Sequence, residues 1–166
     1  MLQYREATVE DLAGICALGA EVNALHNSAW PDLFAAEIAA EKSQEVWRSS
    51  LGQAGATTFV AATDSALAGF VTVAIVDEAS PLFHRMRYAK IGTVGVTQGF
   101  RGQGIGRALM ALVEAWAESH SATEVHLNVW AFNEGARRLY EELGYAVRSH
   151  HMGKRLEGAS CAREDA

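Results

Sequence analysis

At 166 residues, 49% apolar and 20% charged, the chain has the composition of an ordinary soluble globular protein with room for one well-buried core, so a single domain is expected. A net charge of −6 argues against a protein built to neutralise nucleic-acid phosphates, and no apolar run approaches the roughly 18 residues that a membrane span needs. The cysteines, Cys16 and Cys161, form no closely spaced disulfide or metal framework, and the N-terminus carries no apolar signal core, so a cytoplasmic protein is expected.

Residues 2–7 alternate in polarity and predict an edge strand. Thr8-Val-Glu-Asp11 supplies an N-cap with an acid three positions on. The three- and four-residue spacing of Leu12, Ile15, Cys16, Gly19, Val22 and His26 then predicts a helix to about residue 27. Pro31 breaks it, and a second helix is predicted over 32–50. Residues 57–63 and 68–76, joined through Asp64-Ser65, predict an antiparallel hairpin with a bulge at Gly69. The stretch 77–87 is polar, contains Pro81 and predicts a long loop, and 88–96 the next strand. Ile105, Leu109, Leu112, Val113 and Trp116 keep helical spacing to about His120, and 125–130 reads as a strand. Asn133 caps a short helix with Ala136, Leu139, Tyr140 and Leu143 on one face and Gly144 as its left-handed stop. A last strand is predicted over 145–156. The domain thus runs 1–157, and the small and charged residues 158–166 form a tail that frays. The order βααβββαβαβ defines a single-domain α/β fold, a mixed and mostly antiparallel sheet flanked by helices.

The chemistry concentrates between the strand 88–96 and the helix that opens at Ile105. Gly102, Gly104 and Gly106 leave backbone N–H groups unobstructed where a helix begins, and Arg101 and Arg107 add positive charge, so a phosphate can settle there. A dinucleotide fingerprint fails because its third glycine would fall on Arg107, and a P-loop fails because no Gly-Lys-Ser/Thr follows. Arg101-x-x-Gly104-x-Gly106 instead resembles the pyrophosphate-binding signature Q/R-x-x-G-x-G/A of the GNAT superfamily of acyl-CoA-dependent N-acetyltransferases. Leu127-x-Val129-x3-Asn133-x2-Ala136-x2-Leu139-Tyr140-x3-Gly144-Tyr145 is similar to the second hallmark of that superfamily.

The resemblance implies an enzyme that moves an acetyl group from acetyl-CoA, its cosubstrate, directly to a primary amine of a small molecule or peptide, with no metal. The backbone amides of Gly102, Gln103, Gly104, Ile105, Gly106 and Arg107 would hold the CoA pyrophosphate, with Arg101 at the start of the turn. The pantetheine arm would pair with the backbone of Val94 and Val96, and Asn133 would reach it. Tyr140 would protonate the departing thiolate. Family habit and the late apolar strand 145–152 suggest a homodimer. No role is implied with nucleic acid or membrane.

The general base is where the sequence departs from the pattern. Many relatives carry a glutamate on the strand before the glycine turn, and here that stretch is Lys90-Ile-Gly-Thr-Val94. His126, Glu78, His84 and His26 are the candidates, each with an ordinary surface or packing role as the alternative. Residues 26–34 fall where the family builds its acceptor wall, which Trp30 and Phe34 would line, with ordinary helix packing as the alternative, while Asp32, Glu37, Asp77 and Glu78 would attract a cationic amine or stand as solvated acids. The missing carboxylate keeps a second reading open, a non-catalytic acyl-CoA sensor on the same fold, and a protein binding another nucleotide phosphate is a third.

Overall fold

The computed structural model describes residues 1–156, and the fraying tail expected over 158–166 lies outside them. Five strands form one sheet in the order β1-β2-β3-β4-β5: β1 Gln3–Glu6, β2 Ala56–Ala62, β3 Leu67–Glu78, β4 Met86–Val96 and β5 Glu124–His126. The first four pair antiparallel, and β5 joins β4 in parallel after a helical crossover. The helices are α1 Leu12–Ala29, α2 Ala40–Arg48, α3 Ile105–Ser119 and α4 Glu134–Glu142.

The middle of the sheet, β2 and the first half of β3, is buried on both faces. On one side, Ile15 and Leu18 of α1 pack with Val60 and Phe70. On the other, Ile105, Leu109, Met110 and Val113 of α3 and Tyr140 of α4 pack with Phe59, Val71, Val73, Ala89 and Ile91. This explains why β2 and the first half of β3 read as nearly continuous apolar runs rather than alternating ones.

Three expectations are corrected. The second helix starts at Ala40, not near 32. Asn23 and Asn27 of α1 donate their side-chain amides to the carbonyls of Ala35 and Phe34, at 2.8 and 2.6 Å, holding 30–39 against α1 as an irregular segment. The loop expected over 77–87 shrinks to 79–85, because Asp77 and Arg87 pair across the two strands at 2.7 and 2.8 Å and the ladder continues to Glu78 and Met86. The strand expected over 145–156 does not form: residues 146–156 are exposed throughout, with no sheet pairing. Three adjoining polar residues, Arg148-Ser-His150, followed by a second histidine and Gly153, give this stretch little apolar face to bury. The homodimer expectation loses the strand on which it partly rested.

The entry into α1 is locked by charge. A short 3-10 turn, Val9–Asp11, precedes the helix, and the Asp11 carboxylate accepts the Thr8 backbone N–H at 2.8 Å and both terminal nitrogens of Arg5 at 2.6 and 2.9 Å. The Arg5 guanidinium holds the Asp11 carboxyl below its usual range. A depressed folded-state pKa stabilises fully above the unfolded value of about 3.9 and is lost as pH falls through the folded one. Asp11→Asn is therefore expected to cost about 1–3 kcal/mol at neutral pH, since Arg5 and the Thr8 N–H lose an ionised partner at a buried position. In urea unfolding across pH, the gap to wild type should close in acid; a gap that persists there would refute the account.

Candidate active site

The site begins with one extra residue. Val71 pairs with Val94 and Val73 with Ile91, so Gly92 and Thr93 of β4 together face Thr72 alone. This bulge bends β4 and shifts its phase: Ile91 and Val94, three apart, both turn toward the α3 cluster. The Thr93 N–H donates to the Thr72 hydroxyl at 2.9 Å. Beyond the bend β4 parts from β5, whose pairing covers only Tyr88, Ala89 and Lys90. The strand expected over 125–130 accordingly ends its ladder at His126, yet Val125, Leu127 and Val129 still pack toward the α3 cluster in alternation.

The opening between the strands has a defined edge. Thr93 and Thr97 direct their N–H groups at β3, to the Thr72 hydroxyl and the Ala68 carbonyl, so strand alternation turns the N–H and C=O groups of Val94 and Val96 into the opening. Arg101 occupies part of that edge, its Nε donating to the Val96 carbonyl at 3.0 Å. Below lies the glycine turn, with Gly102 and Gly104 at φ +75° and +80°, conformations that other residues adopt only under strain. Gly104 caps α3 and leaves its first amides facing out. Gly106 differs from the other two, because a Cβ there would lie 3.1 Å from Leu139, which makes it a close-packing position between α3 and α4. Arg107 reaches sideways to Glu142 at 2.6 Å, and the Gln103 amide folds back to the Gly99 carbonyl at 3.2 Å.

Two residues of the second motif belong to α4, one as its cap and one on its buried face. The side-chain Oδ1 of Asn133 caps α4 by accepting the Ala136 N–H at 3.1 Å. Tyr140 is 9% exposed and its ring lies edge-on to Tyr145 at 6.0 Å. Its hydroxyl makes no hydrogen bond among the described residues and is not among their fully buried polar atoms, so it keeps access to solvent. Burial pushes the phenol pKa up, which keeps it protonated and able to donate. The Tyr145 hydroxyl is committed to Glu114 at 3.1 Å.

The candidate bases separate by position. Glu78 accepts the Ser80 N–H at 2.8 Å at the end of β3, about 20 Å from the bulge at 3.3 Å per strand residue, and His84 lies in the loop beyond it. His126 stacks on Tyr88 at 4.1 Å, and its Nε2 lies 2.6 Å from Glu124, a carboxylate held down at about 2 by Arg148 and then by His126 itself. His26 is placed differently. Val22, one turn earlier on α1, would meet a Cβ on Gly95 at 3.0 Å, so α1 crosses β4 and carries His26 over the opening. There its ring meets Phe34 at 4.9 Å, Phe132 at 5.4 Å and Trp130 at 6.1 Å.

Phe34 therefore joins a wall, whereas Trp30 is 52% exposed and outside that cluster. Asp32 lies 3.3 Å from Arg155, Asp77 is paired with Arg87, and Glu37 lines a separate cleft of about 230 Å³ between α1 and α2 with Asn23, Ile38 and Trp47. Sequence reasoning missed Thr72 and Phe132. The signals were present, a lone cluster-breaking threonine in the apolar run 68–76 and an aromatic two residues beyond Trp130.

A mixed sheet that parts after a bulged strand, with a glycine turn and the free amides of a helix start at that strand's end, places the protein in the structural class of the GNAT acetyltransferases. Residues 21–145 match the profile of the Acetyltransferase (GNAT) family, and the chain belongs to that family. It is 35% identical over 78 residues to the uncharacterized N-acetyltransferase YdgE of Bacillus subtilis, a match of 47% of this chain and 49% of that one, so it spans about half the length of this curated relative. The fold is similar to a mutant of the BH1408 protein of Bacillus halodurans, with a TM-score of 0.86, 22% identity and coverage of 93% and 99%. It is also similar to AAC(6')-Iy in complex with the bisubstrate analog CoA-S-monomethyl-acetylneamine, with a TM-score of 0.72, 16% identity and coverage of 94% and 98%. No helix among the described residues is long and apolar enough to cross a membrane.

The bulge makes a prediction. Thr72→Val keeps the volume but leaves the Thr93 N–H without its acceptor, so unfolding stability should drop by about 1–3 kcal/mol, and the amide of Thr93 should exchange faster with solvent hydrogen. Thr72→Ser should restore both; a valine variant with wild-type exchange at Thr93 would refute the role of the hydroxyl.

Proposed function

We propose that the protein transfers an acetyl group from acetyl-CoA to a primary amine of a small molecule or peptide. The observation that carries the reading is the meeting, at one end of the β4–β5 opening, of outward-facing α3 amides behind Gly102 and Gly104 with the backbone edge of Val94 and Val96. A pyrophosphate on those amides gains both hydrogen bonds and the positive end of the helix dipole. The Arg101 guanidinium would leave the Val96 carbonyl for the pyrophosphate, freeing that carbonyl and the Val94 backbone for the pantetheine amides. Asn133, with its oxygen used as a cap, has its amide nitrogen to offer the same arm. Gly106 and Arg107 contribute backbone amides only, their remaining surroundings being Leu139 and Glu142.

In the reaction the amine, once deprotonated, attacks the thioester carbonyl carbon. The C–N bond forms, the C–S bond breaks with its electron pair on sulfur, and Tyr140 supplies the proton that turns the thiolate into CoA thiol. Tyr140 recovers a proton from solvent, to which its hydroxyl has access. The likeness to AAC(6')-Iy, bound to an analogue that joins CoA to acetylneamine, supports an amine acceptor. One observation favours the sensor reading, the lack of any carboxylate in Lys90-Ile-Gly-Thr-Val94. Amine-dependent release of CoA separates the two: binding of acetyl-CoA with no release across an amine panel would overturn the transferase.

Two substitutions test the parts. Gly104→Glu puts bulk and negative charge at the turn, so acetyl-CoA affinity in calorimetric titration should fall by about 10²-fold or more, and unchanged affinity in the folded variant would remove the turn from the site. Tyr140→Phe keeps the ring, so stability and acetyl-CoA binding should hold while turnover drops by about 10²- to 10⁴-fold. Wild-type turnover in that variant would make Tyr140 a packing residue alone.

A further inference from the structure

His26 lies near the end of α1, where the helix has crossed β4 at Gly95 and reaches the segment that follows β5. Its Nδ1 is 2.6 Å from the Val22 carbonyl, an atom that can only accept, so Nδ1 carries the hydrogen and the Nε2 lone pair is left unprotonated in the neutral ring. Among the described residues Nε2 makes no hydrogen bond, and it is not a fully buried atom, so it opens onto solvent. Three aromatic rings surround it: Phe34 from the segment pinned by Asn27, and Trp130 and Phe132 from the continuation of β5. The wall is neutral. Residues 22–29 of α1 and 127–133 after β5 carry no charged side chain, and of the pinned segment 30–35 only Asp32 is charged, with Arg155 3.3 Å away.

An alkylammonium ion is almost wholly protonated at neutral pH, its pKa being about 10.4, and it cannot attack a carbonyl until one proton has gone. Aromatic faces attract such a cation, and an imidazole with a free lone pair beside them can take the proton. We infer that His26 is the base that deprotonates the acceptor amine, with Phe34, Trp130 and Phe132 forming the wall that holds an amine borne on an apolar or aromatic body. The inference rests on the transferase reading above and deepens it. The proton balance closes: one N–H proton of the ammonium passes to Nε2 and from there to water, a second passes to water as the amide forms, and the thiolate takes its proton from Tyr140, which regains one from water, so one proton is released per turnover. Base and acid then stand on opposite faces of the sheet, His26 on the α1 side and Tyr140 on the α3 side, with the opening between them.

The test compares wild type with His26→Gln and His26→Asn, the latter retaining a side-chain amide near the Val22 carbonyl. CoA release is followed with phenethylamine, protonated at neutral pH, and with aniline, which is not. Both variants should bind acetyl-CoA within about twofold of wild type yet turn over phenethylamine about 10²- to 10⁴-fold more slowly at neutral pH. The deficit should shrink about tenfold per pH unit as free amine accumulates, and with aniline it should be small at every pH. Wild-type turnover of phenethylamine in a variant, or one constant loss across pH and across both amines, overturns His26 as the base. Should neither variant fold, shown by lost acetyl-CoA binding, the wild type decides: phenethylamine turnover must fall in acid with a limb absent for aniline, and matching profiles overturn the assignment. Wild-type activity on spermidine but not on phenethylamine overturns the aromatic wall alone. Absence of CoA release with every amine overturns the transferase reading itself, and this inference with it.

Discussion

Strand β4 carries Gly92 and Thr93 where its neighbour carries only Thr72, and the hydroxyl of Thr72 absorbs the N–H that the insertion would orphan. A backbone donor buried without a partner costs enough that such a bulge persists only where something accepts from it. With that hydrogen bond in place β4 bends, its apolar phase is reset so that Val94 and Val96 continue the face begun by Ala89 and Ile91, and its far edge turns away from β5. The pairing lost is that between residues 91–96 of β4 and the chain beyond His126. What replaces it is a strip of unpaired backbone ending in a helix N-terminus, a surface able to pair with an extended amide-bearing arm and an anion together.

The two helices that cross the sheet convert this strip into a site with sides. On one face α3 begins at the glycine turn, and its contact with α4 through Gly106 and Leu139 brings Tyr140 into the core next to α3. On the other face α1 runs over Gly95 to the residues beyond β5, where an aromatic cluster closes its end. The α3 face of the sheet thus carries a buried phenol, Tyr140, and the α1 face an imidazole, His26, among aromatic rings.

Apart from Arg101, whose guanidinium lies on the edge at Val96, the ion pairs stand around this centre. Asp77 with Arg87, Arg107 with Glu142 and Arg148 with Glu124 are exposed pairs, and such pairs add little stability. Their effect is positional: the first extends the β3–β4 hairpin, the second draws Arg107 away from the turn, and the third ties the segment after Tyr145 to β5 and engages His126. Arg5 with Asp11 is the exception, since Asp11 is buried and fixes where α1 starts.

Much of this was legible in the chain. The glycine turn, the cap at Asn133, the left-handed stop at Gly144 and the apolar spacing of α1 and α3 are local features, each settled by conformational preference or periodicity within a few residues. The second motif also singled out Tyr140. Features that depend on a partner distant in sequence were not legible. That α2 begins only at Ala40 depends on two asparagines of the preceding helix reaching carbonyls 7 and 12 residues away. The absence of a strand over 146–156, the removal of His126 by Glu124 and Arg148, and the distance of Glu78 and His84 from the bulge are all decisions of packing. His26 was one histidine among six in the sequence. Only the path of α1 across β4 separates it from the others, because a residue's neighbours across a sheet are set by strand order and helix crossing, which no local pattern encodes.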